Sequence, residues 1–348
     1  MQAACRLLLE REGPEWAAGE ACGFTDPAGY RAQFRAIAGM TPEGYRALAG
    51  GGGWSLELPV DYRAEDVLAY HGRDPLSRSE RVEGRTLMKA LELPSGPGLL
   101  EIAFAAGAAH CRWHPAKGAG RLEPAESAGL HRRAARMLGL GMDPGPFERF
   151  TVGGALGALV ALRPGLRIPL TADVWESLVW AVLGQQVNLA FAYTLRRRLV
   201  ERCGKPAGGG LNAHPRPAAV AALDPEDLRP LQFSRGKADY LTALAGKAAA
   251  GALALEQLPE GSALEAARTL GAERGVGPWT THYVLMRGCG FGDCVPLGDA
   301  GLTLALQRQF ALERRPSLRE TAAAMAPFAP FRSLATFHLW ASLKGVPA

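Results

Sequence analysis

The stretch Arg274–Thr281, which reads RGVGPWTT, decides the fold because it has the composition of a tight turn that opens a helix. Gly275 and Gly277 flank one aliphatic residue, and Pro278 suits the first position of the next helix, where its missing N–H costs nothing. The preceding segment Ala263–Leu270 reads as a helix. The pattern predicts a helix–hairpin–helix whose free backbone N–H groups and helix dipole favour an anion. A plain corner between two helices is the alternative, because short glycine motifs occur in many unrelated proteins.

The glycines of this turn also set an expectation about substitution. A glycine in a tight turn commonly has a backbone conformation that a side chain disfavours. We therefore expect any side chain at Gly277 to strain the hairpin.

The chain around this motif is helical from Pro169 onward, with short loops. Val174–Leu183 reads as a helix, Gly184 to Val187 interrupts it, and Asn188 can cap the helix that follows. The longest break in this half is the Gly/Pro-rich stretch from 204 to 217. This half of the chain is therefore predicted to be an all-α domain.

The chain before residue 166 has mixed signals. Leu56–Val60 and Gly98–Phe104 read as strands, whereas Ala64–His71 and Ala125–Leu138 read as helices. Four glycines at 50–53 favour a flexible linker. The predicted fold class is mainly α with an α+β domain. The predicted domains are a helical piece at 1–49, the linker at 50–53, an α+β domain at 54–165 and a helical domain at 166–348.

Composition and charge narrow the function classes. The net charge is +5, with 20 basic and 15 acidic side chains after residue 165, which suits a polyanionic partner as well as it suits ordinary solvated surface. No apolar run is long enough to span a membrane, and the start does not have the pattern of a signal peptide, so we expect a cytoplasmic protein. Six scattered cysteines have no spacing typical of zinc sites, so the sequence predicts no metal site and no disulfide framework.

The stretch 293–299, which follows the second helix of the hairpin, contains two candidate carboxylates, Asp293 and Asp299. Asp299 stands just before an apolar helical stretch, where aspartate is a preferred N-cap, and the residues alone favour that structural role. Trp279 and Tyr283 are four residues apart and share one helix face, so they can form one wall of a pocket or part of an ordinary core.

The hairpin segment resembles that of the helix–hairpin–helix DNA glycosylase superfamily. The stretch 270–302, the segment LGQQV at 183–187 and the segment FRSLATFHLW at 331–340 are similar to the AlkA type, DNA-3-methyladenine glycosylase II. Residues 54–163 resemble the N-terminal domain of that type more loosely. One departure is Arg274, where the family usually has proline.

The resemblance implies roles for individual residues. The catalytic carboxylate of the family falls at Asp299, which can cap a helix as well. For Asp293 we expect a loop or structural role, and for His282 and His338 a structural role. The base pocket would consist of Trp279, Tyr283 and Trp340. The DNA contacts would come from the hairpin, the residue before it and an intercalating wedge: Gly275, Gly277, Thr280, Arg274 and Gln186.

The implied reaction is hydrolysis of the N-glycosidic bond of a flipped, alkylated base in double-stranded DNA. Strand-cutting relatives have a lysine where this chain has Trp279, and an indole forms no Schiff base, so water is the expected nucleophile. The region after the hairpin also lacks the four closely spaced cysteines of iron–sulfur relatives. We expect a monomer with no membrane contact and no cofactor, except for a monovalent cation that would bridge the hairpin to a DNA phosphate.

Residues 1–46 resemble the second half of an AraC-type DNA-binding domain. The resemblance depends on ACGFTDP at 21–27, on Tyr30 and Phe34, and on GMTPEGYR at 39–46. Asp26-Pro27 would open a recognition helix running to about Ile37. Fusions of an Ada-type regulator with this type of glycosylase would place such a domain ahead of the glycosylase. We therefore expect either that Met1 is the true start or that an upstream Ada-type domain is missing.

Two other functions remain open from the sequence. One is a transcriptional regulator whose glycosylase-like half only binds DNA, although binding alone requires neither Asp299 nor Trp340. The other is a glycosylase with a different damaged-base preference, because pocket polarity is not visible in a sequence.

Overall fold

The computed structural model describes residues 2–10 and 13–343. The chain folds into two compact units, each with its own interior. Unit 1 holds the residues up to Gly141 together with Leu199–Pro215, and unit 2 holds Met142–Arg198 together with the residues from Arg216 onward.

Unit 1 combines short helices with antiparallel strands. Its helices are α1 (Gln2–Glu10), α2 (Trp16–Ala21), α3 (Pro27–Ala38), α4 (Pro42–Ala47), α5 (Ala64–His71) and α6 (Pro124–Met137). Its strands are β1 (Trp54–Glu57), β2 (Glu80–Glu83), β3 (Thr86–Leu93), β4 (Gly96–Ala105), β5 (Ala108–Pro115), β6 (Pro206–Gly208) and β7 (Leu211–Asn212).

The main sheet of unit 1 has the strand order β1-β5-β4-β3-β2, and every neighbouring pair is antiparallel. Successive residues of a strand face opposite sides, yet Leu99 and Leu100 of β4 are both buried. The β6–β7 hairpin covers the side of Leu99, where Ala207 and Leu211 pack against it. Both faces of the sheet therefore contribute to the core of unit 1.

The helical front piece, α1–α4, is packed into unit 1. Asp26 caps α3 by accepting from the backbone N–H groups of Ala28 and Gly29, and Gly39 ends the helix with φ 67°. The helix predicted to begin at Asp26-Pro27 is confirmed. Three contacts join the front piece to β1 and α6: Gly39 O accepts from Glu57 N at 2.7 Å, Arg35 pairs with Glu57, and His131 Nε2 donates to Ala38 O at 2.8 Å.

Unit 2 is helical. It contains α7 (Gly145–Thr151), α8 (Gly157–Ala161), α9 (Val174–Gly184), α10 (Leu189–Cys203, whose last residues fall in unit 1), α11 (Pro217–Ala221), α12 (Arg235–Ala249), α13 (Ala263–Gly271), α14 (Pro278–Val284), α15 (Ala300–Gln309), α16 (Leu318–Met325) and α17 (Arg332–Ser342). A π-helical turn, Leu285–Cys289, continues α14.

Helix α9 forms the centre of unit 2. All its residues from Val174 to Leu183 are buried, which is the pattern of a helix surrounded by protein. Asp173 caps its start, and the buried Glu176 accepts from Arg196 of α10 at 2.5 Å, so the one carboxylate in the helix is paired. This buried helix fixes the position of the turn that follows it, which forms part of the candidate site.

The predicted fold class, mainly α with an α+β domain, is confirmed. The glycines at 50–53 do not separate two compact units, since the front piece and the sheet share unit 1, and residue 165 lies within unit 2. The three predicted domains stay a prediction. Along the described ranges, 2–10 and 13–343, no helix is both long and apolar enough to cross a membrane.

Candidate active site

The hairpin, residues 272–277, joins α13 to α14. Ser262 and Glu265 form a capping box that starts α13, and Val276 is buried, as its position between two glycines predicts. Gly277 occupies the N-cap position of α14 and Pro278 the first helical position, so the sequence fixes where α14 begins. No side chain in the described part of the protein caps α14. The first N–H groups of a helix have no partner within it, so the start of α14 favours an anion.

The two glycines of the hairpin differ in what they require. Gly275 has φ +85°, and a Cβ there would clash with the ring of Tyr240. Gly277 has φ −84°, and a Cβ there would meet nothing within 4 Å. The expectation that a side chain strains the turn at Gly277 is therefore wrong, because Gly275 is the position that the fold restricts to glycine.

The Asp299 carboxylate is held by three donors. As N-cap of α15 it accepts from Leu302 N through Oδ1 at 2.7 Å. The same oxygen accepts from the Trp340 indole at 2.9 Å, and Oδ2 accepts from the Trp279 indole at 3.1 Å. Capping and orientation by the two tryptophans therefore act on one carboxylate and fix its direction.

The three aromatic residues of the predicted pocket lie together beside this carboxylate. The rings of Trp279 and Tyr283 stack with centroids 5.4 Å apart and planes at 28°. The ring of Trp340 lies 6.3 Å from that of Tyr283 at 41°. Tyr283 is buried while both tryptophans are partly exposed, so the group presents an aromatic wall at the protein surface.

One residue of this cluster, Gly301, has no counterpart in the sequence-based prediction. A Cβ at Gly301 would lie 3.1 Å from Asp299 Oδ1 and 3.4 Å from Trp340 Nε1. The absence of a side chain lets the indole approach the first turn of α15. A glycine two residues after an N-cap aspartate was the available signal, because glycine weakens a helix unless something needs the space.

Asp293 and the nearby histidines have structural surroundings. Asp293 binds Arg332 through both carboxylate oxygens at 2.6 Å, and the guanidinium holds the pKa of this carboxyl below its usual range. His282 accepts from Val295 N through Nδ1, and burial lowers its pKa. His338 is buried within α17.

The predicted wedge, Gln186, lies in the turn Gln185–Asn188, which we call the wedge loop. Gln186 is exposed and has φ 54°, a left-handed conformation that is uncommon for a residue other than glycine. Asn188 accepts from Phe191 N and so caps α10, as predicted. The neighbouring Gln185 donates from Nε2 to Gly275 O at 2.8 Å and to Thr280 Oγ1 at 2.9 Å, so the structure brings this loop to the hairpin.

The other predicted contact residues lie around the hairpin. Arg274 is exposed, and its guanidinium carbon lies 5.7 Å from the centroid of the Tyr240 ring. Thr280 is buried and its hydroxyl oxygen accepts from Gln185, so its side chain faces the protein. Among residues 2–10 and 13–343, no three His, Cys, Asp or Glu side chains are grouped to hold a metal ion. The bridging monovalent cation stays a prediction.

Comparisons with known proteins identify the family of this chain. A family model described as HhH-GPD superfamily base excision DNA repair protein matches residues 179–330, which include the wedge loop, the hairpin and Asp299. A Mycobacterium tuberculosis protein named "Probable bifunctional transcriptional activator/DNA repair enzyme AlkA" is 31% identical over 365 residues, covering 99% of this chain and 70% of its own. The chain belongs to the HhH-GPD superfamily, AlkA type.

Other relatives of this HhH-GPD protein match part of its length. Two Bacillus subtilis proteins, one of them named DNA-3-methyladenine glycosylase, are each 36% identical over 190 and 179 residues. The chain spans 66% and 59% of their lengths. The AraC-type character of residues 1–46 stays a prediction.

The structure of a 3-methyladenine DNA-glycosylase from Archaeoglobus fulgidus has a similar fold. It superposes with a TM-score of 0.73 at 23% identity and covers 84% of this chain and 98% of its own. At that identity the likeness concerns the fold of the HhH-GPD protein.

Proposed function

We propose that this HhH-GPD protein is a monofunctional DNA glycosylase that removes alkylated bases, of the 3-methyladenine and 7-methylguanine type, from double-stranded DNA. The observation that carries the proposal is the cluster in which Trp279 and Trp340 both donate to Asp299 beside the ring of Tyr283. Relatives named DNA-3-methyladenine glycosylase support the substrate class.

The aromatic wall explains a preference for alkylated bases. A purine alkylated at N3 or N7 carries positive charge, and an aromatic face attracts a cation by about 0.5–2 kcal/mol. The base must leave the helix stack to reach this wall, so base flipping is part of the proposal. The charged base is also a good leaving group, which removes the need for a proton donor.

The Asp299 carboxylate supplies the electrostatic part of the reaction. As the bond from C1′ to the base nitrogen breaks, the base leaves with the electron pair and the sugar becomes oxocarbenium-like. The negative charge of Asp299, held in place by three donors, stabilises that cation. Water then bonds to C1′ and loses a proton to solvent, which leaves an abasic site.

The hairpin and the wedge loop supply binding to the duplex. The N–H groups at the start of α14, which no side chain caps, would hold a backbone phosphate, with Arg274 nearby in sequence as a cation. Gln186 would enter the space that the flipped base leaves. The protein would act in the cytoplasm as a monomer, with no cofactor beyond a monovalent cation at the hairpin.

The test is base release from methylated DNA. The wild-type protein should release 3-methyladenine and 7-methylguanine, identified by chromatography, and should leave intact abasic strands that borohydride does not trap. Asp299→Asn should lower the single-turnover rate about a hundredfold to a thousandfold, because it removes one aimed charge worth about 3–4 kcal/mol.

The matched control for this test is Asp293→Asn. It also removes one carboxylate, but one paired with Arg332 outside the cluster, so excision should persist with a stability loss of roughly 1 kcal/mol. Wild-type protein that releases no alkylated base would overturn the proposed function. A folded Asp299→Asn protein with near-normal excision would make Asp299 a helix cap alone.

A further inference from the structure

The wedge loop is tied to the hairpin by the side chain of Gln185. Its Nε2 group donates to Gly275 O at 2.8 Å and to Thr280 Oγ1 at 2.9 Å. These acceptors lie on either side of the start of α14, where a phosphate would bind. One amide group therefore links the loop that would enter the duplex to the turn that would hold its backbone.

Helix α12 supports the same loop through Lys237. The Lys237 ammonium donates to Val182 O at 3.0 Å and to Gln185 O at 2.6 Å, which are among the last carbonyls of α9 and its C-cap. Val182 O also accepts from Gln185 N at 3.4 Å. Carbonyls at the C-terminus of a helix form the negative end of its dipole, so a cation there is favourable. Burial lowers the Lys237 pKa to about 8, and these two acceptors offset part of the cost of burying the charge.

One turn further along α12, Tyr240 supports the hairpin. Its ring lies so close to Gly275 that a side chain there has no room, and the Arg274 guanidinium carbon is 5.7 Å from its centroid. Lys237 and Tyr240 are three residues apart and therefore neighbours on one face of α12. The same helix face thus contacts both the wedge loop and the hairpin.

From these contacts we infer that Gln185, Lys237 and Tyr240 are positioning residues that hold the wedge loop and the hairpin as one rigid element. In this arrangement, phosphate binding at the hairpin drives Gln186 into the duplex. The inference deepens the proposed function and rests on it.

The rigid link between the wedge loop and the hairpin matters because flipping a base out of the duplex has a free-energy cost. Extruding a paired base costs free energy, and inserting a side chain into the gap must offset that cost. Gln186 has a left-handed conformation that is unfavourable for a residue other than glycine, so its geometry persists only when neighbouring atoms hold it. Both the carbonyl and the side chain of the preceding residue, Gln185, are held.

The experiment compares Gln185→Ala with wild type on two substrates: 7-methylguanine paired with cytosine, and the same lesion opposite an abasic site. Single-turnover excision of the paired lesion should fall tenfold or more, because extrusion is then costly. Excision of the unpaired lesion should stay within about twofold of wild type, since little extrusion work remains. Fluorescence of 2-aminopurine at the target position should show less extrusion in the variant, whether or not a base is excised.

Two further variants complete the design. Thr280→Val keeps the side-chain shape and removes one acceptor of Gln185, so it should show the same selective loss to a smaller degree. Gln309→Ala removes a glutamine that also donates to a backbone carbonyl, Ala155 O, but away from the site, and both of its rates should match wild type. Thermal melting verifies the fold of each variant.

The outcomes distinguish a failure of the positioning role from a failure of the proposed function. Equal losses on the paired and unpaired lesions, or no loss on either with unchanged 2-aminopurine fluorescence, would overturn the positioning role. Wild-type protein that excises neither lesion would overturn the proposed function, and the fluorescence comparison would still decide whether Gln185 governs extrusion.

Discussion

At the scale of single residues, Gly275 and Gly277 allow the folding of the hairpin and its binding of a phosphate to be tested separately. Gly275→Ala adds a methyl group at φ +85° and against the Tyr240 ring, so it should lower the melting temperature and weaken duplex binding together. Gly277→Asp adds a side chain in open space, so the fold should persist, while its carboxylate repels a phosphate and binding falls strongly.

Gly277→Ala is the control for this pair, and it should resemble wild type in both melting temperature and affinity. Fluorescence anisotropy with a labelled duplex at several salt concentrations measures the affinities. If Gly277→Asp binds as tightly as wild type at moderate salt, the hairpin does not hold the phosphate.

The residues of the candidate site differ in how far the sequence predicted them. The N-cap geometry of Asp299 was visible because its partner, Leu302 N, is three residues away. The indole donors stand 20 and 41 residues from Asp299, so these contacts depend on how α14 and α17 pack against α15. Local patterns do not predict such packing, and only the resemblance pointed to Trp340.

At the scale of secondary-structure elements, the contact between α6 and α3 predicts sensitivity to acid. His131 donates through Nε2 to Ala38 O, while its Nδ1 has no hydrogen-bond partner in the described structure, and burial lowers its pKa to about 4. The unfolded chain binds the proton near pH 6.5, so the folded state loses stability as the pH falls from about 6.5 to 4.

The matched variant is His131→Gln, which keeps a donor for Ala38 O and does not titrate. Between pH 7 and pH 4, urea unfolding should show a smaller loss of unfolding free energy in the variant than in wild type. The difference should reach at most about 3 kcal/mol. Parallel curves for the two proteins would show that His131 does not control the acid response.

The helices were predicted more accurately than the strands. The bounds predicted for α5, α9 and α13 agree with the structure within about one residue. Strand β3, TLMKALEL, was missed because most of its residues favour helix, and pairing with β2 and β4 overrides that preference. Such pairing involves segments distant in sequence and is therefore invisible to local periodicity.

At the scale of the whole molecule, the packing of the front piece predicts what its removal does. A protein without residues 2–50 should lose protection from hydrogen exchange in β1 and α6, because Glu57 and His131 lose their partners in α3 and just after it. A full-length protein with four extra residues inserted after Gly51 is the control, and it should keep most of this protection. Unchanged exchange in the truncated protein would make the front piece an independent module.

During synthesis on the ribosome, unit 1 stays incomplete until Leu199–Pro215 has been made, because Met142–Arg198 of unit 2 comes first. Chains emerge from their N-terminal end, and the β6–β7 hairpin that covers Ala90 and Leu99 lies beyond residue 205. The nascent sheet therefore exposes an apolar face while residues 142–198 of unit 2 are being made, which favours binding by chaperones during that interval. Completion of unit 1 at about residue 215 ends the exposure before α12, the hairpin and Asp299 have left the ribosome.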